Sequence, residues 1–167
     1  ELTKFPTGTF EKAVDVQNGT KVLLKHKKTE QSPFILGVRT VGMENKKECY
    51  VLGVLASVLG GGMSSRLFHE VRERRGLAYS VRAESETYKG VGYLAAVAGV
   101  DKARIDEAIK VVRDEMLKIR NDGEITKEEL FKAKEYMKGH FILDLEDTRS
   151  VAAHYGTDLV LQDKMEN

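Results

Sequence analysis

Residues 78–88 and 90–100 are two strand-like runs that meet at Lys89-Gly90. A connection that short forces the runs to pair antiparallel, because a parallel return needs a crossover of a dozen or more residues. In the first run Val81 and Ala83 alternate with Arg82 and Glu84, the period of a half-buried strand. The second run is apolar nearly throughout, which implies cover on both of its faces. A hairpin of this kind is marginal alone, so the rest of the chain must supply further strands or a layer of helices.

The remaining pattern supplies both. Residues 33–41 are rich in Phe, Ile, Leu and Val and read as a buried strand. Asn18-Gly19 lies between runs at 9–16 and 21–25, a spacing that predicts a second hairpin, with Val22 and Leu24 on one strand face. Residues 47–59 carry apolar positions at three-to-four spacing and predict a helix ending at Gly60-Gly61-Gly62, where left-handed backbone is cheap. A second helix is expected over 65–74, with Ser64 or Ser65 as N-cap and Leu67, Phe68 and Val71 as its apolar face. Asp101 can cap a long helix to about residue 121, whose stripe is Ile105, Ala108, Ile109, Val112, Met116 and Ile119, and Gly123 stops it. Thr126 and Glu129 form a capping box for the next helix, and a last helix is expected over 148–161. Strands followed by helices in blocks point to an α+β domain, a largely antiparallel sheet with helices on one face.

At 167 residues the chain has the length of one domain, expected to span 1–167. Basic and acidic residues nearly cancel, 27 against 26, so no nucleic-acid partner is expected. The basic runs at 25–28 and 72–75 read as solvated surface. One cysteine, Cys49, excludes an internal disulfide and reads as a small buried hydrophobe. No segment approaches the roughly 18 consecutive apolar residues of a membrane span. The chain begins at Glu1 without a signal peptide; an excised fragment is expected, and the compartment expected is the cytoplasm, with periplasm or an organelle as alternatives.

Generic catalytic signatures are missing. The histidines are His26, His69, His140 and His154, and no two share the i, i+4 spacing that binds zinc from one helical face. No His-x-x-Glu-His occurs, so no metal ligand is assigned to this chain. Ser64 and Ser65 follow glycines, but a nucleophile elbow needs glycine on both sides of the serine after a strand. Gly60-Gly61-Gly62 before a helix could cradle an anion, but it lacks the Lys-Ser/Thr ending and the preceding strand of a phosphate loop.

One stretch goes further. The glycine-rich turn Gly60-Gly61-Gly62, the helix start Ser64-Ser65-Arg66-Leu67-Phe68 and the exit Arg75-Gly76-Leu77-Ala78-Tyr79 occur together in order. This resembles the second, non-zinc-binding half of the pitrilysin (insulinase, processing-peptidase) family of zinc metallopeptidases, and more weakly the likeness extends over most of the chain. The resemblance implies two α+β halves facing each other around a chamber. The other half, in the same polypeptide or in a partner subunit, holds zinc and the catalytic glutamate; this half binds no cofactor and is inactive alone. It also implies that a full second half continues past Asn167, so a C-terminally truncated piece is expected.

Arg72 and Tyr79 match the arginine and tyrosine that the family's second half offers toward the zinc site. A guanidinium and a phenol aimed at a scissile carbonyl stabilise the charge that grows there during hydrolysis. The strand after Tyr79, at Ser80, Val81 and Arg82, is implied to help hold an extended peptide substrate by main-chain pairing. Two alternatives stay open: a non-catalytic scaffold or assembly subunit on the same fold, and a plain α+β binding module.

Overall fold

The computed structural model describes residues 11, 13, 14, 16–25, 31–122 and 125–162. In chain order the elements are strand β1 (Gln31–Thr40), helix α1 (Lys46–Gly60), a π-helical turn (Phe68–Glu73), strands β2 (Ala78–Tyr88) and β3 (Val91–Asp101), a 3₁₀ turn (Lys102–Arg104), and helices α2 (Ile105–Asp122), α3 (Lys127–Asp144) and α4 (Thr148–Gln162). The sheet order is β1-β3-β2 with both pairings antiparallel. The expected α+β architecture is therefore present, and β3, the most apolar strand, takes the centre.

One face of the sheet carries the core. Ala96, Ala98 and Val100 of β3 are buried with Leu59 of α1, Leu67 and Val71 around the π-turn, Leu77, and Ala108 and Val112 of α2. Phe34 and Leu36 of β1 and Val81 and Ala83 of β2 pack against this cluster. Burying Leu67, Val71, Val100 and Val112 completely stabilises the fold by about 1.5–3 kcal/mol per side chain. The opposite face is left open by the helices among the described residues. Ile35 is exposed, and Tyr93 and Val97 are half-exposed. Among the described residues the cover expected on both faces of β3 is found on one; small neighbours across the ladder (Gly37 beside Ala95) shield part of the other.

Helix ends follow their side-chain chemistry. Asp101 accepts from the Ala103 N–H at 2.8 Å, capping the 3₁₀ turn that leads into α2. Thr126 and Glu129 form the capping box of α3, with Thr126 N–H to Glu129 at 2.9 Å and Glu129 N–H to the Thr126 hydroxyl at 3.1 Å. Gly123 lies outside the described residues.

Further expectations change, among them the helix over 65–74, most of which winds as the π-helical turn. The hairpin about Asn18-Gly19 does not join the sheet: none of the described residues among 11–25 is in a strand, and Val22, Leu23 and Leu24 are exposed. Gly19 does take a left-handed φ of 115°, so the local turn signal is real, but strand formation needs a partner edge that a turn cannot specify. Part of the run at 9–16 falls outside the described residues. Gly60-Gly61-Gly62 does not use left-handed backbone either; Gly61 is at φ −80°. These glycines allow close approach. A side chain at Gly60 would collide with the β2 backbone at Ala83 and stand 2.7 Å from the Arg82 carbonyl carbon. Finally, Ser65 is not an N-cap acceptor: its hydroxyl donates back to the Gly62 carbonyl at 2.6 Å.

Candidate functional site

The Arg72–Tyr79 segment is shaped by two departures from regular geometry. The first is the π-turn. Leu67 and Val71 are fully buried and fix one side of it in the core. The wider winding shows in the hydrogen bond from Arg74 N–H to the His69 carbonyl, five residues back, at 2.8 Å. Two nested bonds then close the turn: Gly76 N–H to Arg72 C=O at 3.1 Å and Leu77 N–H to Val71 C=O at 2.8 Å. Gly76 makes that reversal at φ 55°, with nothing near the place a side chain would occupy, so its role is conformational.

The second departure is a β-bulge. Ala78 pairs with Val100 and Ser80 pairs with Gly99, which leaves Tyr79 as the extra residue of β2. A bulge re-aims the residue it adds. Tyr79 is 64% exposed at the start of an edge strand. The π-turn packs against β2, so Arg72 and Tyr79 belong to the same corner of the domain.

Charge pairing in this corner is selective. Glu70 takes both Arg74 and Arg75, and the Arg75 guanidinium, helped by Arg74, holds the Glu70 carboxyl below its ordinary range. Arg75 also donates to the Glu70 carbonyl at 2.7 Å. Glu73 pairs with His69. Arg72 is left, among the described residues, without a carboxylate; its guanidinium carbon lies 5.1 Å from the centre of the Phe68 ring. The Tyr79 hydroxyl likewise has no hydrogen-bond partner among the described residues.

The strand beyond Tyr79 divides by face. Ser80 and Arg82 are exposed, with Arg82 paired to Glu84 at 3.2 Å, whereas Val81 turns its side chain to the core. Among the described residues β2 has β3 on one side only, so every second residue directs its N–H and C=O away from that pairing.

Beside this corner, Arg66 grips Glu129 of α3 through two bonds, at 2.6 and 3.0 Å. That pairing, together with the Thr126 bonds, lowers the Glu129 carboxyl from 4.5 to about 2. The ionised carboxylate borders the hollow under Gly62, with Ser64 and Ser65.

Sequence reasoning did not find the Phe68–Arg72 stack, the Glu70 clamp or the bulge. The first two had a signal in the i, i+4 spacings of Phe68 to Arg72 and Glu70 to Arg74.

Comparison with known proteins now bears on this geometry. Residues 4–137 match the model of the peptidase M16 inactive domain. The chain belongs to that family. An uncharacterized zinc protease of Streptomyces coelicolor is 37% identical over 84% of the chain, and one of Bacillus subtilis is 37% identical over 87%. The chain spans only 30% and 35% of those two relatives. A Helicobacter pylori protease superposes with a TM-score of 0.66 at 26% identity, covering 81% of this chain and 32% of that one. A peptidase M16 inactive domain from Pseudomonas fluorescens, at 23% identity and TM-score 0.62 over 68% of this chain and 27% of its own, shares the fold.

The zinc in the relatives' names finds no seat among the described residues of this M16 domain. Among the described residues no three His, Cys, Asp or Glu side chains converge. His69 is held by Glu73, His140 lies on the Tyr136 ring, and His154 contacts Phe141 and Tyr155. His26 falls outside the described residues. The residues present do not fit the metal, and no zinc step is assigned to them. No helix among the described residues is long and apolar enough to cross a membrane.

Proposed function

We propose that this M16 domain is the substrate-positioning, transition-state-assisting half of a zinc endopeptidase, inactive alone and completed by a zinc-bearing half in the same polypeptide or in a partner subunit. The observation that carries the reading is a pair of donors with no protein partner among the described residues, the Arg72 guanidinium and the Tyr79 hydroxyl, at the start of a strand paired there on one side only. Each neighbouring arginine and the one nearby histidine contact a carboxylate, while these two do not. Donors left without protein partners are suited to an oxygen that arrives with the substrate.

An extended peptide adds to the free edge of β2 along Ser80, Val81 and Arg82, through main-chain bonds that demand no particular sequence. That places a carbonyl beside Tyr79 and Arg72. As hydrolysis moves charge onto its oxygen, the phenol O–H and guanidinium N–H groups strengthen their bonds to it. Zinc and its ligands belong to the other half.

The test joins this chain to its zinc-bearing half and follows cleavage of an unstructured peptide. Tyr79→Phe and Arg72→Ala are each expected to lower turnover by about 10²–10³-fold, the size of losing one oxyanion donor. Unchanged turnover in both variants would remove the assigned roles and leave a scaffold as the reading.

A further inference from the structure

We propose that Phe68 is a positioning residue for Arg72, acting through the face of its ring. This rests on the role proposed for Arg72 above. An arginine on an exposed turn normally loses its geometry to side-chain freedom. Two ways of restraining it exist: a carboxylate, or a surface that leaves the N–H groups free. Carboxylates restrain Arg74 and Arg75 through Glu70, and Arg66 through Glu129, and in doing so occupy their donors. Arg72 has the other restraint. Its guanidinium sits 5.1 Å from the Phe68 ring centre, within cation–π range, and the in-plane donors remain unspent.

The local structure makes the stack. Phe68 and Arg72 open and nearly close the π-turn, four residues apart on one side of it. Leu67 and Val71, each one residue earlier, are both fully buried and anchor the adjoining side of the turn in the core. The Phe68 ring is itself supported, edge-on to His69 at 6.3 Å between centres, and His69 is tied to Glu73. A guanidinium held this way keeps full charge and directionality for a substrate oxygen, which a salt bridge would have reduced.

The experiment uses the assembled peptidase, with both halves, and an unstructured peptide. Phe68→Leu keeps apolar bulk and removes the ring face; Phe68→Tyr keeps the face. Phe68→Leu is expected to lower kcat about three- to tenfold with KM within about twofold, since the interaction it disturbs strengthens only in the transition state. Phe68→Tyr is expected to retain the parent rate. In an Arg72→Ala background, Phe68→Leu should have no further effect, as two residues acting through one contact are not additive. Equal losses in the Leu and Tyr variants, or a further loss in the Arg72→Ala background, overturn the inference and mark Phe68 as a packing residue. A loss with Arg72→Ala and none with Phe68→Leu overturns the positioning role while leaving that of Arg72. No loss with Arg72→Ala overturns both.

Discussion

The corner from Leu59 to Tyr79 and the arm formed by the end of α3 with α4 are built from similar proportions of apolar and charged residues, yet they are held by opposite means. In the corner, Leu59, Leu67, Val71 and Leu77 are buried and nearly every charge has a partner. In the arm, Phe141, Ile142, Leu143, Leu159 and Val160 are exposed. α3 is fixed to the body through Glu129 on Arg66, Ala133 buried near Ser57, and Met137 against Gly53, all before its last two turns. The contrast explains why two free donors in the corner stand out. Where the neighbouring charged side chains are paired, an arginine without a carboxylate is a feature; in a loosely packed arm it would be ordinary.

The largest expected effect breaks the corner's core. Leu67→Ala removes a side chain with no solvent exposure between α1 and the sheet, and should cost about 2–5 kcal/mol by chemical denaturation. A loss below about 1 kcal/mol would mean that the corner can collapse around the gap, and that its geometry is softer than the packing suggests.

Next comes the joint between corner and arm. Because the Glu129 carboxyl titrates at about 2 in the folded chain and near 4.5 without its partners, the ionised form is favoured by folding. That stabilisation is complete above about pH 4.5 and disappears as the pH falls toward 2. Allowing for partial exposure, it amounts to roughly 1–2 kcal/mol at neutral pH. Glu129→Gln should therefore be less stable than the parent by that amount at pH 7, and the two denaturation curves should converge between pH 4.5 and 2. A difference that stays constant across this range would show that the carboxylate's charge contributes nothing to the joint.

Much of this architecture is legible in the residues, for reasons that are local. The capping box at Thr126 and Glu129, the tight reversal at Lys89-Gly90 and the stripe from Ile105 to Ile119, from which only the expected Ile109 falls out onto the exposed side, each depend on neighbours within a few positions. The motif around Leu59 to Tyr79 located the candidate pair, but not the geometry that presents it. Leu67 and Val71 are spaced four apart, which suits an α-helix and a π-turn equally, so the widened turn leaves no trace in the apolar pattern. The bulge at Tyr79 depends on how β2 meets Val100 and Gly99, twenty residues along the chain, and pairing register at that range is not written in any short window. The same limit applies to Asn18-Gly19, where the turn conformation is encoded and the strand partner is not. Likewise, three glycines in a row announce unusual backbone, while their actual service at Gly60 is to admit the β2 backbone.

A smaller effect separates conformation from packing within the corner. At Gly76 an added methyl group meets nothing, so Gly76→Ala should cost only the left-handed backbone, about 1 kcal/mol. Gly76→Asn, which tolerates that conformation, should recover part of it. The comparison also carries a functional reading, because Gly76 lies between Arg72 and Tyr79 and closes the turn that joins them. If the two side chains act as a unit, Gly76→Ala in the assembled peptidase should reduce turnover more than its small effect on stability accounts for.

The smallest effect is expected in the arm. Leu143 is 61% exposed, so Leu143→Ser removes little buried area and should change the stability of this chain by no more than about 0.5 kcal/mol. The same substitution made in the complete two-half protein sharpens the contrast. If another segment covers the arm there, Leu143 becomes a core residue and its loss should approach the cost seen at Leu67. If the small value persists, the arm is a true surface, and the apolar residues along 141–145 are simply solvent-exposed.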